Sequence, residues 1–378
     1  MTLRLGSQGD LVVRWQKTMV ARFAGYAKAA DGGPLKPDGY FGYDDRDVQR
    51  EYERRTGQPV DGVVSDDDLR ALGLLPPDNR PVVLTFRGTG GVIGQDYTSR
   101  VAQFAGFREV AVEYPATMGG IPVGAATRGP TGGECVEIAV QDAVRSIEGS
   151  DWPFILCGYS LGAIAASRVR AMLEPGGRLA PHKHRYICGA MFGNPARQFG
   201  HTYYLGAVPA GYGIADWHLP QPCCTWDWCE LADPGDIYTN APGGEAGDVM
   251  RAAYRIVMGT QVADPIVTIR RILPHIIELI QEAGVRPDVP LDKILTGAGA
   301  GLLAAVLPVD LANLLRAGST ETAGAVQAAI LALRFCADGT RPHIEYEHRE
   351  VWPGQTYLGL AVQHVQHWWS EHQKGLVA

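Results

Sequence analysis

The chain has 378 residues, of which 46% are hydrophobic and 20% are charged, so its composition permits a buried core and excludes a chain that is disordered throughout. The formal net charge is −7 and no run of Lys and Arg is present, which argues against a nucleic-acid partner. The length allows two or three domains of ordinary size.

The N-terminal residues contain no long apolar segment followed by a cleavage site, so no signal peptide is predicted. The strongest membrane-spanning candidate, residues 294–315, is interrupted by Pro308 and Asp310 and is therefore unsuited to a bilayer core. We expect a soluble protein that is made in a cytoplasm and acts elsewhere only after release.

Residues 1–75 predict a small all-α domain of three short helices. Apolar residues at helical spacing mark the first helix, with Ser7 or Asp10 as its N-terminal cap. The second helix is expected to close at Gly57. In the third, Ser65 precedes an acidic first turn and is expected to cap it.

After a Pro-rich linker at 76–81, apolar runs alternate with helical patterns. This alternation predicts an α/β domain with a parallel sheet covered on both faces, formed by residues 82–248 and 318–378. Residues 249–317 are almost purely helical in pattern and predict an inserted subdomain. Its apolar faces would contact either a lipid chain or its own core.

The sequence Gly158-Tyr159-Ser160-Leu161-Gly162 fits G-x-S-x-G. An apolar run precedes it and a helical pattern follows, as a nucleophile on a sharp strand-to-helix turn requires. Glycines two residues away on either side remove side chains that would collide at such a turn. The alternative is a serine that merely caps a helix, but the context favours Ser160 as a nucleophile.

A serine nucleophile needs a base, and an α/β-hydrolase orders its triad Ser, Asp or Glu, then His. All ten histidines follow Ser160, so order alone does not choose among them. His343, in a turn-rich segment just before the final helix, is the preferred base, and His348 is its rival. His364-x-x-His367 has metal-ligand spacing on a helix, but no third ligand is evident.

For the acid, Asp233 and Asp236 compete in the segment LADPGDIY. Pro234-Gly235 predicts a turn that presents Asp236 on a loop tip. Asp233 precedes proline and is expected to cap that turn instead.

Two donors must also meet the developing oxyanion. One is expected to be the backbone amide of Leu161, directly after the nucleophile. The other is expected from the loop FRGTGG after the first strand, where Thr89 offers its amide and its hydroxyl. A phosphate-binding loop is disfavoured because the glycine spacing and a Walker-type lysine are both missing.

Cys223, Cys224 and Cys229 cluster in one segment. A zinc site is disfavoured because no second ligand pair follows at matching spacing. Reduced thiols are expected, and a local disulfide after release stays an alternative.

The order of helical segments at residues 3–74 resembles the small peptidoglycan-binding domain of cell-wall hydrolases, with a longer connection at 24–39 than is usual there. The segment from about Arg87 to Tyr346 resembles the lysin B family of mycobacteriophages, within the cutinase-like branch of serine esterases. Five stretches carry this resemblance in the family's order: FRGTGG, GYSLG, MFGNPARQ, LADPGDIY and PHIEY.

The resemblance implies Ser160 as nucleophile, Asp236 as acid and His343 as base, with Thr89 and Leu161 as oxyanion donors. Leu161 stands where family members commonly carry Gln, and its backbone amide survives that change. The implied activity is hydrolysis of the ester between mycolic acids and arabinogalactan, without metal or cofactor.

This activity would detach the mycobacterial outer membrane during host lysis. The enzyme would be made in the host cytoplasm and act at the envelope after release, with residues 1–75 contacting peptidoglycan. The alternatives are a general lipase or cutinase-type esterase with a wall-binding domain, and a wall protein with an inactive core.

Overall fold

The computed structural model describes residues 2–76, 78–119, 129–202, 209–259 and 340–377. The chain divides into two compact units, Met1–Arg80 and Pro81–Ala378. Most of the predicted helical insert at 249–317 lies outside the described residues, so the insert and the detailed domain bounds stay predictions.

The first unit contains three helices, as predicted: α1 Asp10–Arg22, α2 Tyr43–Thr56 and α3 Asp66–Ala71. The expected cap of α1 is wrong. Gly9, at φ 115° and ψ −173°, occupies the N-cap position without a side-chain hydrogen bond, in a backbone conformation that favours glycine. The Ser7 hydroxyl instead accepts the Arg4 N–H at 3.0 Å.

The two other predicted helix ends are confirmed. Gly57 closes α2 in the left-handed conformation at φ 73°. Ser65 caps α3, because its hydroxyl accepts the Asp68 N–H at 3.0 Å and the Asp68 carboxylate accepts the Ser65 N–H at 2.9 Å. This reciprocal pair satisfies two backbone donors that the helix cannot pair itself.

The core of the first unit centres on the fully buried Trp15, against which Phe41 packs with ring centroids 5.1 Å apart. The long connection at 24–39 takes part in this core, since Ala27 and Leu35 are buried in it. The connection is therefore an integral part of the unit.

The second unit contains a five-stranded parallel sheet in the order β2-β1-β3-β4-β5. This confirms the predicted α/β class. The strands are β1 Val82–Phe86, β2 Arg108–Ala111, β3 Phe154–Tyr159, β4 Tyr186–Phe192 and β5 Trp228–Leu231. The described helices are α4 Tyr97–Ala105, α5 Gly132–Glu148, α6 Leu161–Met172, α7 Gly244–Gly259, α8 Arg341–Ile344 and α9 Tyr357–Val377. Two short 3-10 helices, Ala180–Arg185 and Gln221–Cys223, and a hairpin of β6 Glu350–Trp352 with β7 Gln355–Thr356 complete the unit.

Alternate residues of the sheet enter two different cores. Leu84 and Leu156 pack in the core that includes α5 and α6, whereas Val83 and Ile155 pack in the core that includes α4 and α9. Strands covered on both faces are continuously apolar, which is why β1, β3 and β4 are readable in the sequence. Strand β5 is not predicted, because it has only four residues inside the cysteine-rich segment.

No helix in the described ranges is both long and apolar enough to cross a membrane.

Candidate active site

The site lies at the carboxyl ends of β1 and β3, which are neighbours in the sheet. The chain order reverses between these two strands, and open α/β sheets bind ligands at such a switch point. Ser160 follows β3 directly, and the loop that contains Thr89 follows β1. The sequence predicts a catalytic role for both residues, and the sheet brings their segments to one edge.

Ser160 occupies a strained turn, with φ 52° and ψ −119°. A positive φ in a residue with a side chain costs free energy on the order of 1–3 kcal/mol. The turn is held by a hydrogen bond from the Ser160 N–H to the Phe192 carbonyl at 3.0 Å. This geometry exposes the hydroxyl between the sheet and α6.

Both glycines of the motif are required by close backbone approaches. A β-carbon at Gly158 would lie 2.7 Å from the Ala163 α-carbon. A β-carbon at Gly162 would lie 2.2 Å from the Phe86 carbonyl oxygen. The motif's spacing therefore reflects how tightly the helix start packs against β3 and the end of β1.

Ser160, His343 and Asp236 form a connected hydrogen-bonded chain. His343 Nε2 lies 2.9 Å from Ser160 Oγ, and His343 Nδ1 lies 2.8 Å from Asp236 Oδ2. Asp236 and His343 are buried, and Ser160 is half-buried. An ionised carboxylate only accepts hydrogen bonds, so it holds the neutral imidazole as the Nδ1–H tautomer. His343 Nε2 is then free to take the proton of the serine hydroxyl.

The acid loop, residues 231–238, differs in one respect from the prediction. Pro234 and Gly235 form its exposed tip, whereas Asp236 is fully buried beneath it. The predicted position of Asp236 on the tip is therefore wrong. The carboxylate faces inward, where Oδ1 accepts the Tyr238 N–H at 3.0 Å.

The rival acid and the rival base lie elsewhere. Asp233 caps the turn as predicted, since its Oδ1 accepts the Gly235 N–H at 2.8 Å. Its other oxygen pairs with Arg349 Nε at 2.7 Å. The His348 side chain is 80% exposed and lies 3.8 Å from Glu347.

His343 lies in the one-turn helix α8 and not in an irregular loop. The backbone of α8 is anchored by two tyrosine hydroxyls. Tyr159 donates to the His343 carbonyl at 2.9 Å, and Tyr97 donates to the Ile344 carbonyl. The Tyr238 ring also contacts the imidazole, with centroids 4.5 Å apart. Sequence reasoning missed these aromatic partners, although Tyr159 and Tyr238 stand inside the quoted motifs.

The loop at 87–91 is anchored by the carboxylate of Asp96. The Gly88 N–H donates to Asp96 Oδ2 at 2.9 Å, and a β-carbon at Gly91 would lie 2.3 Å from the same oxygen. Burial raises the pKa of Asp96 to about 6. The loop also borders the nucleophile turn, because the Arg87 carbonyl oxygen would lie 2.5 Å from a β-carbon at Gly162.

Thr89 and Leu161, the predicted oxyanion donors, occupy different surroundings. The Thr89 hydroxyl is buried and finds no hydrogen-bond partner among the described residues. Leu161 begins α6, and its side chain is 1% exposed in the core with α5. The Leu161 side chain is thus part of the hydrophobic core. The sequence prediction concerned only its backbone N–H and did not indicate this burial.

Among the residues that the structure describes, no three His, Cys, Asp or Glu side chains are grouped so that they could hold a metal ion. Cys223, Cys224 and Cys229 are free thiols. Burial raises the pKa of Cys224 to about 12, which disfavours the reactive thiolate form.

No protein-family model matches the chain, and no curated protein matches it. Among solved structures, this chain is similar to lysin B from Mycobacteriophage D29. The match covers 76% of this chain and 100% of the lysin B chain, with 20% identity and a TM-score of 0.43. A cutinase-like protein from Cryptococcus sp. matches over 47% of this chain and 95% of its own, with 16% identity and a TM-score of 0.34. The catalytic core domain of acetyl xylan esterase from Trichoderma reesei matches over 48% and 96%, with 19% identity and a TM-score of 0.34.

Proposed function

We propose that this chain is a serine carboxylic ester hydrolase of the lysin B type. The observation that carries the proposal is the strained Ser160 turn, with Oγ 2.9 Å from His343 Nε2, whose Nδ1 lies 2.8 Å from the buried Asp236. A nucleophile, a base and an orienting acid in hydrogen-bond contact are what acyl transfer needs.

In the acylation step, Ser160 Oγ attacks the carbonyl carbon of the ester and His343 Nε2 accepts the hydroxyl proton. Asp236 holds the ring and stabilises the imidazolium that forms. The tetrahedral intermediate collapses as its bond to the alcohol oxygen breaks. His343 returns the proton to that oxygen, so the alcohol leaves and the acyl group stays on Ser160.

Deacylation repeats the chemistry with water as the nucleophile. His343 removes a proton from the water, whose oxygen attacks the acyl carbon. The ester bond to Ser160 then breaks, and the proton returns to Ser160 Oγ as the carboxylic acid leaves. In both steps the N–H of Leu161 and the amide and hydroxyl of Thr89 are proposed to stabilise the oxyanion, since such donors typically supply a factor of roughly 10²–10³ each.

For the substrate, we propose the ester between mycolic acids and arabinogalactan, with the outer membrane of a mycobacterial host detached late in lysis. Support comes from the five motifs in family order and from a three-helix unit at the N-terminus. Residues 1–75 are proposed to contact peptidoglycan, and the enzyme is proposed to act at the envelope after release.

The test uses the full chain and a p-nitrophenyl ester, with Ser160→Ala as the matched variant. Activity in the parent protein and its loss in the variant are expected. Equal activity in both proteins would overturn the nucleophile, and an inactive parent protein would favour a wall-adhesion role.

A second assay compares mycolyl-arabinogalactan with simple triglycerides. Release of mycolic acid is expected from the first substrate. Hydrolysis of triglycerides without mycolic acid release would instead favour a general lipase or cutinase-type esterase.

A further inference from the structure

The buried hydroxyl of Tyr346 touches the acid of the site directly. Tyr346 Oη lies 2.8 Å from Asp236 Oδ2, the same oxygen that lies 2.8 Å from His343 Nδ1. Tyr346 is completely buried and follows His343 by three positions. One carboxylate oxygen is therefore shared between the imidazole and a phenol.

The direction of the phenol proton is fixed by a third partner. The backbone N–H of Asp233 donates to Tyr346 Oη at 3.1 Å, and an amide N–H cannot accept in return. The single proton of Tyr346 is therefore directed at Asp236 Oδ2. Burial and the nearby Asp236 charge raise the pKa of Tyr346 well above its usual value, so the phenol remains a donor across the working range.

We propose that Tyr346 is a positioning residue that limits how strongly Asp236 stabilises the protonated His343, and thereby sets the pH at which the base becomes active. This proposal rests on the proposed function. A hydrogen bond from the phenol disperses charge on Oδ2 and makes that oxygen a weaker acceptor for the imidazolium. A weaker acceptor lets His343 lose its proton at lower pH.

The carboxylate has enough other contacts to stay in place without the phenol. Asp236 Oδ1 accepts the Tyr238 N–H at 3.0 Å, and Oδ2 keeps its contact with His343 Nδ1. Gly193 closes the remaining side, since a β-carbon there would lie 2.8 Å from Oδ2. Removal of the Tyr346 hydroxyl should therefore alter the charge on Oδ2 more than its position.

The other described titratable or charged groups around the pair contact different atoms. All of these groups are retained in Tyr346→Phe, so their effect on the pair is common to the parent protein and to that variant. They are Tyr159 at the end of β3, Tyr238 after Asp236, Asp233 with its partner Arg349, Tyr97 and Asp96 at the start of α4, and Glu345 after α8.

The experiment compares Tyr346→Phe with Tyr159→Phe in the full chain, by the pH dependence of kcat/KM on a p-nitrophenyl ester. Each variant loses one hydrogen-bonded tyrosine hydroxyl, but Tyr159 donates to a peptide carbonyl and Tyr346 to the carboxylate. In Tyr346→Phe the midpoint of the acidic limb should rise by about 0.5–1 pH unit, the scale on which one charge-assisted hydrogen bond changes a titration. In Tyr159→Phe the midpoint should stay unchanged, even where kcat falls.

Site-specific 3-fluorotyrosine at position 346 gives a change of opposite sign. Fluorine makes the phenol a stronger donor while its volume is nearly kept, so the midpoint should move to lower pH. This substitution also serves if Tyr346→Phe does not fold. An unmoved midpoint in either Tyr346 substitution, or equal shifts in Tyr346→Phe and Tyr159→Phe, overturns the proposal.

Two controls separate this proposal from the proposed function. Loss of activity in Ser160→Ala supports the esterase assignment, and this outcome does not depend on the result for the Tyr346 variants. An NMR titration of the His343 ring in the Ser160→Ala background needs no catalysis, and the Tyr346→Phe substitution should move its midpoint upward there as well. If the ring titration does not move, the inference about Tyr346 fails while the esterase assignment stands.

Discussion

Gly193 lies so close to His343 that a β-carbon at position 193 would stand 2.9 Å from the imidazole Nδ1. Gly193 also has φ 52°, a backbone conformation that side chains disfavour. We predict that Gly193→Ala lowers kcat/KM by roughly 10²-fold or more, because it displaces the acid and the base of the site. Steady-state kinetics measure this effect.

A matched control exists for the backbone strain at Gly193. Gly200 has φ 66°, and no atom of the described residues lies within 4 Å of a β-carbon built there, so Gly200→Ala carries strain without a collision among those residues. It should lower stability modestly and leave kcat/KM within a few-fold of the parent value. Equal losses of activity in the two variants would show that strain and not proximity is responsible.

The two candidate bases are separated by His343→Ala and His348→Ala. The first should lower kcat by roughly 10³-fold or more, since removal of a triad member leaves little more than binding and oxyanion stabilisation. The second should have little effect, because His348 is 80% exposed and pairs only with Glu347 among its described contacts. The reverse pattern of kcat values would assign the base to His348.

Thr89→Val separates catalysis from stability. The Thr89 hydroxyl is buried and has no partner within the described part of the chain, and an unpaired buried hydroxyl costs on the order of 1–3 kcal/mol. We predict an unfolding midpoint at least equal to that of the parent protein, with kcat reduced by about 10²-fold. Thr89→Ser, which keeps the hydroxyl, should retain most of the rate; an unchanged kcat in Thr89→Val would remove the hydroxyl from the proposed oxyanion site.

Leu161→Ala should lower stability and leave kcat nearly unchanged, the reverse of Thr89→Val. The backbone N–H of Leu161 is the proposed donor, whereas its side chain is 1% exposed in the core. Loss of that side chain should cost about 2–5 kcal/mol of unfolding free energy, while the folded fraction keeps kcat within a few-fold. The volume-conserving Leu161→Met should cost less than about 1.5 kcal/mol. A large loss of kcat in folded Leu161→Ala would argue that the side chain itself acts in catalysis.

Glu230 gives a pH dependence of stability that lies outside the catalytic groups. Its Oε1 accepts from Trp228 Nε1 at 2.8 Å and from Asn194 Nδ2 at 2.9 Å, and burial raises its pKa from 4.5 to about 7. Because the folded pKa is raised, the contribution of Glu230 to stability is fully present below pH 4.5 and is lost as the pH rises through about 7.

We therefore predict that the difference in unfolding free energy between Glu230→Gln and the parent protein increases in favour of the variant from about pH 5 to about pH 8. The increase should be roughly 3 kcal/mol at most. Glutamine keeps the accepting oxygen and removes the charge. Urea unfolding midpoints at the two pH values measure the difference. The exposed Glu113 supplies a control, since Glu113→Gln should change both midpoints alike; the same result for Glu230→Gln would contradict the prediction.

The sequence predicted those features that have a local cause. Continuous apolar runs mark β1, β3 and β4 because both faces of the sheet are covered. Ser65 and Gly57 mark helix ends through local backbone chemistry. The four-residue strand β5 lacked such a signal, because it is short and Glu230 interrupts its apolar residues.

Features that depend on distant segments could not be derived in this way. The Asp236 carboxylate faces inward and accepts a hydrogen bond from the Tyr346 hydroxyl. These two residues are 110 positions apart in the sequence. No periodicity or local propensity reports such a contact. The motifs contained Tyr159 and Tyr346, but only the folded chain shows which atoms their hydroxyls reach.

The contact between Ser160 and His343 also has a consequence for folding. The two residues are 183 positions apart, so the loop between them must close before their side chains can meet. Contacts of such long sequence separation form slowly and at a high entropic cost. During refolding, recovery of ester hydrolysis should therefore lag behind the recovery of helical circular dichroism, and turnover would report completion of the tertiary structure.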